Sequence, residues 1–386
     1  MITTMRGSIV SAMPMTDAQF GLLTSVFGWV YGLLSPFAGF LADRFNRSRV
    51  IIGSLLVWSL VTWLTAHAKT FEQLLAARAL MGISEACYIP AALALIADYH
   101  RGSTRSLATG IHMTGIMVGS GAAGIGGWIA ERYHWTNAFV VFGIVGLFYA
   151  VALLAVLRDP PAERNASDDS VKPKEVVRFT DAIRHVFGRG SFWLLLSFWG
   201  FLGIVGWVVS GWLPTYFQEH FHLSQGRAGF YALSYMNVAA FVGVLCGGYW
   251  ADRWSRTNPR ARMWVPAIGL CVAAPGIFLL ANTTQLSLAI VGCVIYAFAR
   301  YFTDSNVMPI LCLITDPRYR ATGYGVLNFF SSIVGGLGVY AGGALRDAHI
   351  NLSRIFIFAA ATMFLCAFLL ILIRLGPEAK REETSR

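Results

Sequence analysis

The chain has 386 residues, of which 56% are hydrophobic and 13% charged. Soluble domains carry about 25% charged residues, so this deficit excludes an ordinary soluble enzyme and points to a protein of the bilayer. The net charge of +10 raises nucleic acid as a partner, but the basic residues sit in short loops between apolar runs, where membrane topology accounts for them, and no nucleic acid is expected.

Eleven apolar runs approach or exceed the roughly 20 residues that cross about 30 Å of hydrocarbon. They cover 18–41, 50–66, 74–99, 107–130, 138–157, 192–217, 228–250, 264–281, 286–313, 321–345 and 355–375. Connections are short except for a polar stretch, 158–191, that holds Pro160, Pro161 and Pro173 and reads as a solvated linker. The expected plan is an all-α integral membrane protein with an N-terminal bundle over 1–157, the linker, a C-terminal bundle over 192–376 and a short tail, 377–386. The six cysteines, Cys87, Cys246, Cys271, Cys293, Cys312 and Cys366, all fall in apolar runs without Cys-x-x-Cys spacing, and read as small buried hydrophobes. The first 15 residues lack the basic start and apolar core of a cleavable signal. His220 and His222 form a His-x-His with no further metal ligand apparent, and no cofactor motif is present.

Lysine and arginine set the orientation. If the loop after the first run faces the cytosol, that side and the C-terminus hold 22 of them, and the opposite loops hold only Lys69, Arg132, Arg227, Arg346 and Arg354. The halves also repeat. "GFLADRFNRSR" (Gly39–Arg49) returns as "GYWADRWSR" (Gly248–Arg256), and "DYHRGSTRSLATG" (Asp98–Gly110) as "TDPRYRATGYG" (Thr315–Gly325). "GGWIAER" (Gly126–Arg132) returns as "GGALRD" (Gly342–Asp347), and Pro90 is matched by Pro309. Two homologous parallel halves about an axis along the membrane normal are a common transporter plan.

The doubled motif resembles the signature of the major facilitator superfamily: Gly39, Asp43, Arg44, Arg47 and Arg49 in the first copy, Asp252 and Arg253 in the second. Asn46 stands near the family's second glycine and is among the few residues that tolerate a left-handed turn. "RALMGISEACYIP" (Arg78–Pro90) resembles the fourth helix of organic anion symporters and of Spinster-like transporters. "GWLPTYFQEHFHLS" (Gly211–Ser224) resembles the end of the seventh helix in the anion symporters, and "WTNAF" (Trp135–Phe139) lacks an arginine common there. The resemblance implies twelve helices, so the opening residues read as the outer end of a first helix: the start is misassigned, the chain is truncated or the protein lacks that half-helix, and a misassigned start is the favoured reading. It further implies a monomer in a bacterial inner membrane. Its transport would be secondary and active, taking up a small organic anion such as a sugar acid by alternating access with proton or sodium coupling. A Spinster-like lipid or lysolipid carrier is the alternative. A transport-dead solute sensor would be expected to carry a signalling domain that is not apparent here.

Ionisable side chains inside a bilayer are costly and therefore functional candidates. Arg78 and Glu85, seven apart, share a helix face. A carboxylate at that depth suits a proton carrier, or forms a structural ion pair. Arg300 and Asp304, spaced i,i+4, either pair with each other or leave the guanidinium to grip an anion. His112 is a proton or substrate candidate and equally an interhelical hydrogen-bonding group. Tyr31, Tyr88, Trp207, Trp212, Tyr231, Tyr235, Asn237, Tyr296, Tyr301 and Asn328 offer aromatic faces and polar tips for a small ligand, although Trp212 and Tyr216 also suit interfacial anchoring. The glycines of the 107–130 run suit close helix packing. The Asp-Arg loops are expected to gate the inner face, with Asp43 at the positive end of a helix from the other half.

Overall fold

A computed structural model describes residues 1–100, 104–159, 179–316 and 319–374. A 3-10 turn (Ile2–Met5) leads into α1 (Arg6–Ala12), followed by α2 (Asp17–Arg44), α3 (Arg47–Thr65), α4 (Phe71–Ala86), α5 (Tyr88–Tyr99), α6 (Thr104–Gly121), α7 (Gly124–Arg132) and α8 (Trp135–Val156). The second half holds α9 (Phe179–Phe187), α10 (Gly190–His220), α11 (Gln225–Ser255), α12 (Ala261–Asn282), α13 (Leu286–Arg300), α14 (Val307–Ile314), α15 (Arg320–Asp347) and α16 (Leu352–Leu372). Among the described residues, ten stretches are long and apolar enough to cross a membrane, and Leu286–Arg300 is a shorter apolar helix that α14 continues. In lipid every backbone group must be paired within the segment, and helices achieve this locally.

Three spans that read as continuous runs are broken. The α4–α5 break falls at Cys87, three residues before Pro90, and α13–α14 breaks over 301–306, ahead of Pro309. A proline deprives the carbonyl four residues back of its N–H partner, and Pro90 and Pro309 each remove one such bond at or next to a break, whereas Pro214, Pro266 and Pro275 lie inside unbroken helices. The third break, at Ala122–Ala123, falls between two glycines. The linker's last part is not irregular: Phe179–Phe187 is a helix that packs on α10 and α15, with Val186 buried. Just after it, Arg189 Nη1 donates to Ile314 O at 2.6 Å, satisfying the C-terminus of α14. Asn46 does not adopt a left-handed turn. With φ −57° it caps α3, its side chain accepting from Arg49 N at 3.1 Å, which is the preferred role of asparagine at a helix start.

Candidate functional site

The halves meet where α2 packs on α15 and where α6 and α7 pack on α11. Small residues permit both. A Cβ on Gly343 would stand 2.2 Å from Asp17 O, one on Gly21 2.9 Å from Val339 O, and one on Gly124 2.9 Å from Phe230 Cα. Polar contacts stitch the same seam: Ser25 Oγ donates to Gly336 O (2.6 Å), Trp29 Nε1 to Ile333 O (3.0 Å) and Ser234 Oγ to Gly121 O (3.0 Å).

At the outer end lies a cluster of charges. Arg346 donates through Nε to Asp17 (2.9 Å) and through both Nη atoms to Glu219 (2.9 Å each). Arg6 pairs with Asp17 and reaches Glu219 at 3.3 Å. Trp212 lies between the two guanidinium groups, 5.9 Å from Arg6 and 5.4 Å from Arg346. Two helix starts are capped from across the seam. Asp347, ending α15, accepts from Asp17 N and Ala18 N, and Glu131, near the end of α7, accepts from Gly226 N, all at 2.9 Å. A carboxylate at a helix N-terminus satisfies orphan N–H groups and the helix dipole together. The two caps are the echoed Glu131-Arg132 and Arg346-Asp347 positions, so each half caps the other.

Inside this seal is a cavity of about 450 Å3 lined by α2, α10, α11, α13, α15 and the 301–306 segment. Arg300 and Asp304 stand on its wall, beside Tyr31, Ser35, Ser210, Asn328, Ser331 and Ser332, with Trp199, Trp207, Tyr296 and Tyr301 as aromatic faces. Arg300 is only 8% exposed. Its Nη1 donates to Asp304 Oδ2 at 2.7 Å, its guanidinium lies 4.4 Å over the Tyr301 ring, and its Nε is buried without a partner. The helix ends at Arg300, and the unwound turn that follows swings Asp304 back toward it. Thr303 Oγ1, 3.0 Å from Asp304 Oδ2, supports the carboxylate. A Cβ on Gly206 would come within 3.3 Å of Arg300 Nη2, so the glycine keeps that face of the guanidinium uncovered.

The predicted site residues divide between two places. Arg300, Asp304 and Asn328 meet in the cavity; Asn328 also hydrogen-bonds with Tyr324. Arg78 does not line it. The Arg78 guanidinium lies 4.6 Å over Phe27 with Nε donating to Leu23 O (3.2 Å), locking α4 to α2. Glu85 does not line the cavity; it interacts electrostatically with Arg78, with the Met1 amino group and with Tyr31, a lining residue. The Tyr88 and His112 rings lie tilted against each other at 5.7 Å, with Trp58 at 6.2 Å from Tyr88, and His112 Nε2 is buried without a partner. Asn237 turns back to Leu233 O (2.8 Å) outside the cavity lining. His220 stacks on Tyr216 and meets Thr283 O at 3.1 Å.

At the motif end, the ion pairs among the described residues lie within their own halves. Arg47 binds Asp98, and Arg262 binds Asp252 at 2.9 Å. Arg253 is exposed, as is Arg49. The side chains of Gly39, Asp43 and Arg44 lie outside the described part. The hydrogen bonds and ion pairs identified between the halves all lie at or outside the level of Trp29 and Ser234. Among the described residues, the polar contacts that join the halves therefore gather at the outer end.

The sequence profile of the Major Facilitator Superfamily matches residues 1–339. The chain belongs to this superfamily. It is 29% identical over 359 residues to Protein spinster homolog 1 of Xenopus tropicalis, covering 86% of this chain and 66% of that protein, just under two thirds of its length. It is 28% identical over 291 residues to Probable anion transporter 4, chloroplastic, of Arabidopsis thaliana, covering 68% of this chain and 53% of that protein. A solved structure of a bacterial homologue of the human lysosomal transporter Spinster, inward-facing and unoccupied, superposes with TM-score 0.78 at 25% identity. The match covers 97% of this chain and 95% of that one. These relatives are named as transporters rather than enzymes where their names give an activity.

Proposed function

We propose that this protein is a secondary active transporter that moves a small organic anion, of the size of a uronate or aldonate, by alternating access through the central cavity. The observation that carries the reading is Arg300: a buried guanidinium on the wall of a closed-ended cavity, at a broken helix, with Nε unpartnered. Broken helices at mid-depth are where transporters place their ligands, and a guanidinium edge matches a carboxylate in two-pronged geometry. The hydroxyls of Ser35, Ser331 and Ser332 and the amide of Asn328 suit a polyhydroxylated ligand, and the tryptophans suit its ring faces. The driving ion is a proton or sodium, and Glu85 is one candidate carrier of a proton.

A second reading, a Spinster-like carrier of lipid or lysolipid, is favoured by the similarity to spinster homologues. A cavity of about 450 Å3 holds a headgroup and leaves an acyl chain to pass between helices into the bilayer.

The test is uptake into proteoliposomes of labelled glucuronate, gluconate and a lysophospholipid under an imposed pH or sodium gradient. Accumulation of the sugar acids, with their ligand-induced thermal shift abolished in Arg300→Ala, supports the anion reading. Accumulation of the lysolipid alone, or an undiminished shift in Arg300→Ala, overturns it. Glu85→Gln is expected to bind ligand but lose gradient-driven accumulation, and unchanged accumulation removes Glu85 from coupling.

A further inference from the structure

A basic patch at the motif end of the C-terminal half is used by neither the cavity nor the outer seal. Three helices end there side by side: α10 starts after Arg189, α12 starts after Arg260, and α16, which packs on both, ends two residues before Arg374. Two hydrogen bonds draw the arginines together. Arg260 Nη2 donates to Ile373 O at 3.4 Å, and Ser191 Oγ, two residues beyond Arg189, donates to Arg374 O at 2.9 Å. Among the described residues, no carboxylate pairs with Arg189, Arg260 or Arg374, and the Arg374 side chain makes no hydrogen bond. Asp252 is already taken by Arg262. Helix dipoles do not offset the charge, since one negative helix end meets two positive ones, and neither α10 nor α12 has an acidic residue in its first turn. Membrane topology asks for basic residues on this side, but not for their convergence without a counter-charge.

The surface next to the patch is apolar. Phe364, Phe368 and Leu372, spaced i, i+4, i+8 on α16, are each about half exposed and form a stripe that ends beside Arg374. Trp193, half-exposed on the first turn of α10, donates Nε1 to Phe187 O at 2.9 Å, so the rest of its ring is apolar surface at headgroup depth, where tryptophan concentrates.

We infer that this patch holds an anionic phospholipid of the leaflet at the motif end, its phosphate against Arg260 and Arg374 and its acyl chains along Phe368 and Leu372. Charge complementarity selects the occupant: a guanidinium meets phosphate in two-pronged geometry, and basic pockets between helices on the cytoplasmic side bind such headgroups. The inference is independent of what the central cavity carries.

The experiment places the purified full chain in phosphatidylcholine nanodiscs with a trace of phosphatidylglycerol or phosphatidylcholine, each carrying the same photoactivatable acyl chain. Crosslinked peptides are mapped by mass spectrometry. The expected result is that the glycerol lipid labels the peptides holding Trp193 and Phe364–Arg374 about 25-fold more than the choline lipid, at about fivefold per guanidinium. Arg374→Gln lowers that preference about fivefold, and adding Arg260→Gln abolishes it. Arg354→Gln, at an exposed arginine of the opposite face, leaves it unchanged. Melting temperature reports folding, because Arg260→Gln also loses the bond to Ile373 O. If that variant does not fold, Arg374→Gln decides. Equal labelling by the two lipids, or a preference untouched by Arg374→Gln, overturns the inference. A preference lowered as much by Arg354→Gln assigns it to overall charge and overturns the site. Displacement of the glycerol lipid by soluble glycerol phosphate as readily as by unlabelled phosphatidylglycerol makes this a site for a free anion, and also overturns it.

Discussion

Removing Arg346 should tip the protein toward its outward-facing state. Of its contacts, only Nε to Asp17 crosses between halves; the paired bonds to Glu219 stay within the C-terminal half. A hydrogen bond between charged groups contributes about 1.5–3 kcal/mol, and both side chains are about 15% exposed or less. The seam therefore loses about 2 kcal/mol in Arg346→Ala, which at 1.36 kcal/mol per tenfold is about a 30-fold shift in population. The readout is a thiol placed in the seam by Ser25→Cys in a chain otherwise freed of cysteine. Ser25 is fully buried between α2 and α15, on the outer side of the cavity. Its labelling by a membrane-impermeant maleimide added outside requires the seam to part, so the rate should rise about 30-fold with Arg346→Ala. Arg354→Ala, at an exposed arginine of the same face, should leave it unchanged. A rate within twofold of the parent in Arg346→Ala would refute the assignment of this cluster as the outer seal.

The reciprocal caps should act in the same direction: Asp347→Ala and Glu131→Ala each remove a cap, at about 1 kcal/mol, and raise Ser25→Cys labelling about fivefold each and additively in free energy when combined. Gly206→Ala places a methyl 3.3 Å from Arg300 Nη2, so it should weaken glucuronate binding at least tenfold with the melting temperature nearly unchanged; equal affinity would move the ligand off that edge. Gly335→Ala drives a Cβ to 2.4 Å from Trp207 Cδ1, while Gly28 confines the other end of the indole at 2.6 Å. It should cost about 1–3 kcal/mol of stability by overpacking, and Trp207→Leu in the same chain should recover part of that loss. Purely additive melting shifts would show the ring is not wedged there.

Much of this arrangement is legible in the chain because the bilayer restricts what can be written. Of the eleven apolar runs, ten become helices long and apolar enough to cross and the eleventh a shorter apolar helix, since a helix pairs its backbone groups within the segment. Arg300, Asp304 and Asn328 stand out by being polar at depth. The break at Cys87 is hidden because apolar residues continue through it, with Pro90 as its signal, whereas the break after Arg300 is marked by the polar run Thr303-Asp304-Ser305-Asn306 and by Pro309. Gly206, Ser35, Ser331 and Ser332 are missed because small residues look alike whether they face lipid, protein or a cavity. The seal is hidden for another reason: Asp17 and Asp347 are 330 positions apart, and each alone reads as a loop charge. The echo of Glu131-Arg132 by Arg346-Asp347 was visible, but only the geometry turns it into two caps related by the pseudo-symmetry.

The unequal ends of the seam carry a last expectation. Outside, charged pairs, helix caps and side-chain-to-carbonyl bonds join the halves, a gross stabilisation on the order of 10 kcal/mol at about 1 kcal/mol per bond. Under the alternating access proposed above, the free energies of the two states lie within a few kcal/mol, and the outward-facing state needs compensating contacts at the motif end. In the present state Asp252 contributes little. Its partner Arg262 lies in the same half, and the pair is largely exposed, 66% on the carboxylate side, where an ion pair is worth about 0–1 kcal/mol. If Asp252 closes the inner face when the halves swing together, as the duplicated loop suggests, then Asp252→Asn costs the outward-facing state more than the inward-facing one. Labelling of the Ser25→Cys thiol should therefore fall, opposite in sign to Arg346→Ala, and Arg346→Ala combined with Asp252→Asn should return toward the parent rate. A rise in labelling with Asp252→Asn alone would mean that the aspartate holds the inner face open rather than shut, and the motif would lose its role as the counterweight to the outer seal.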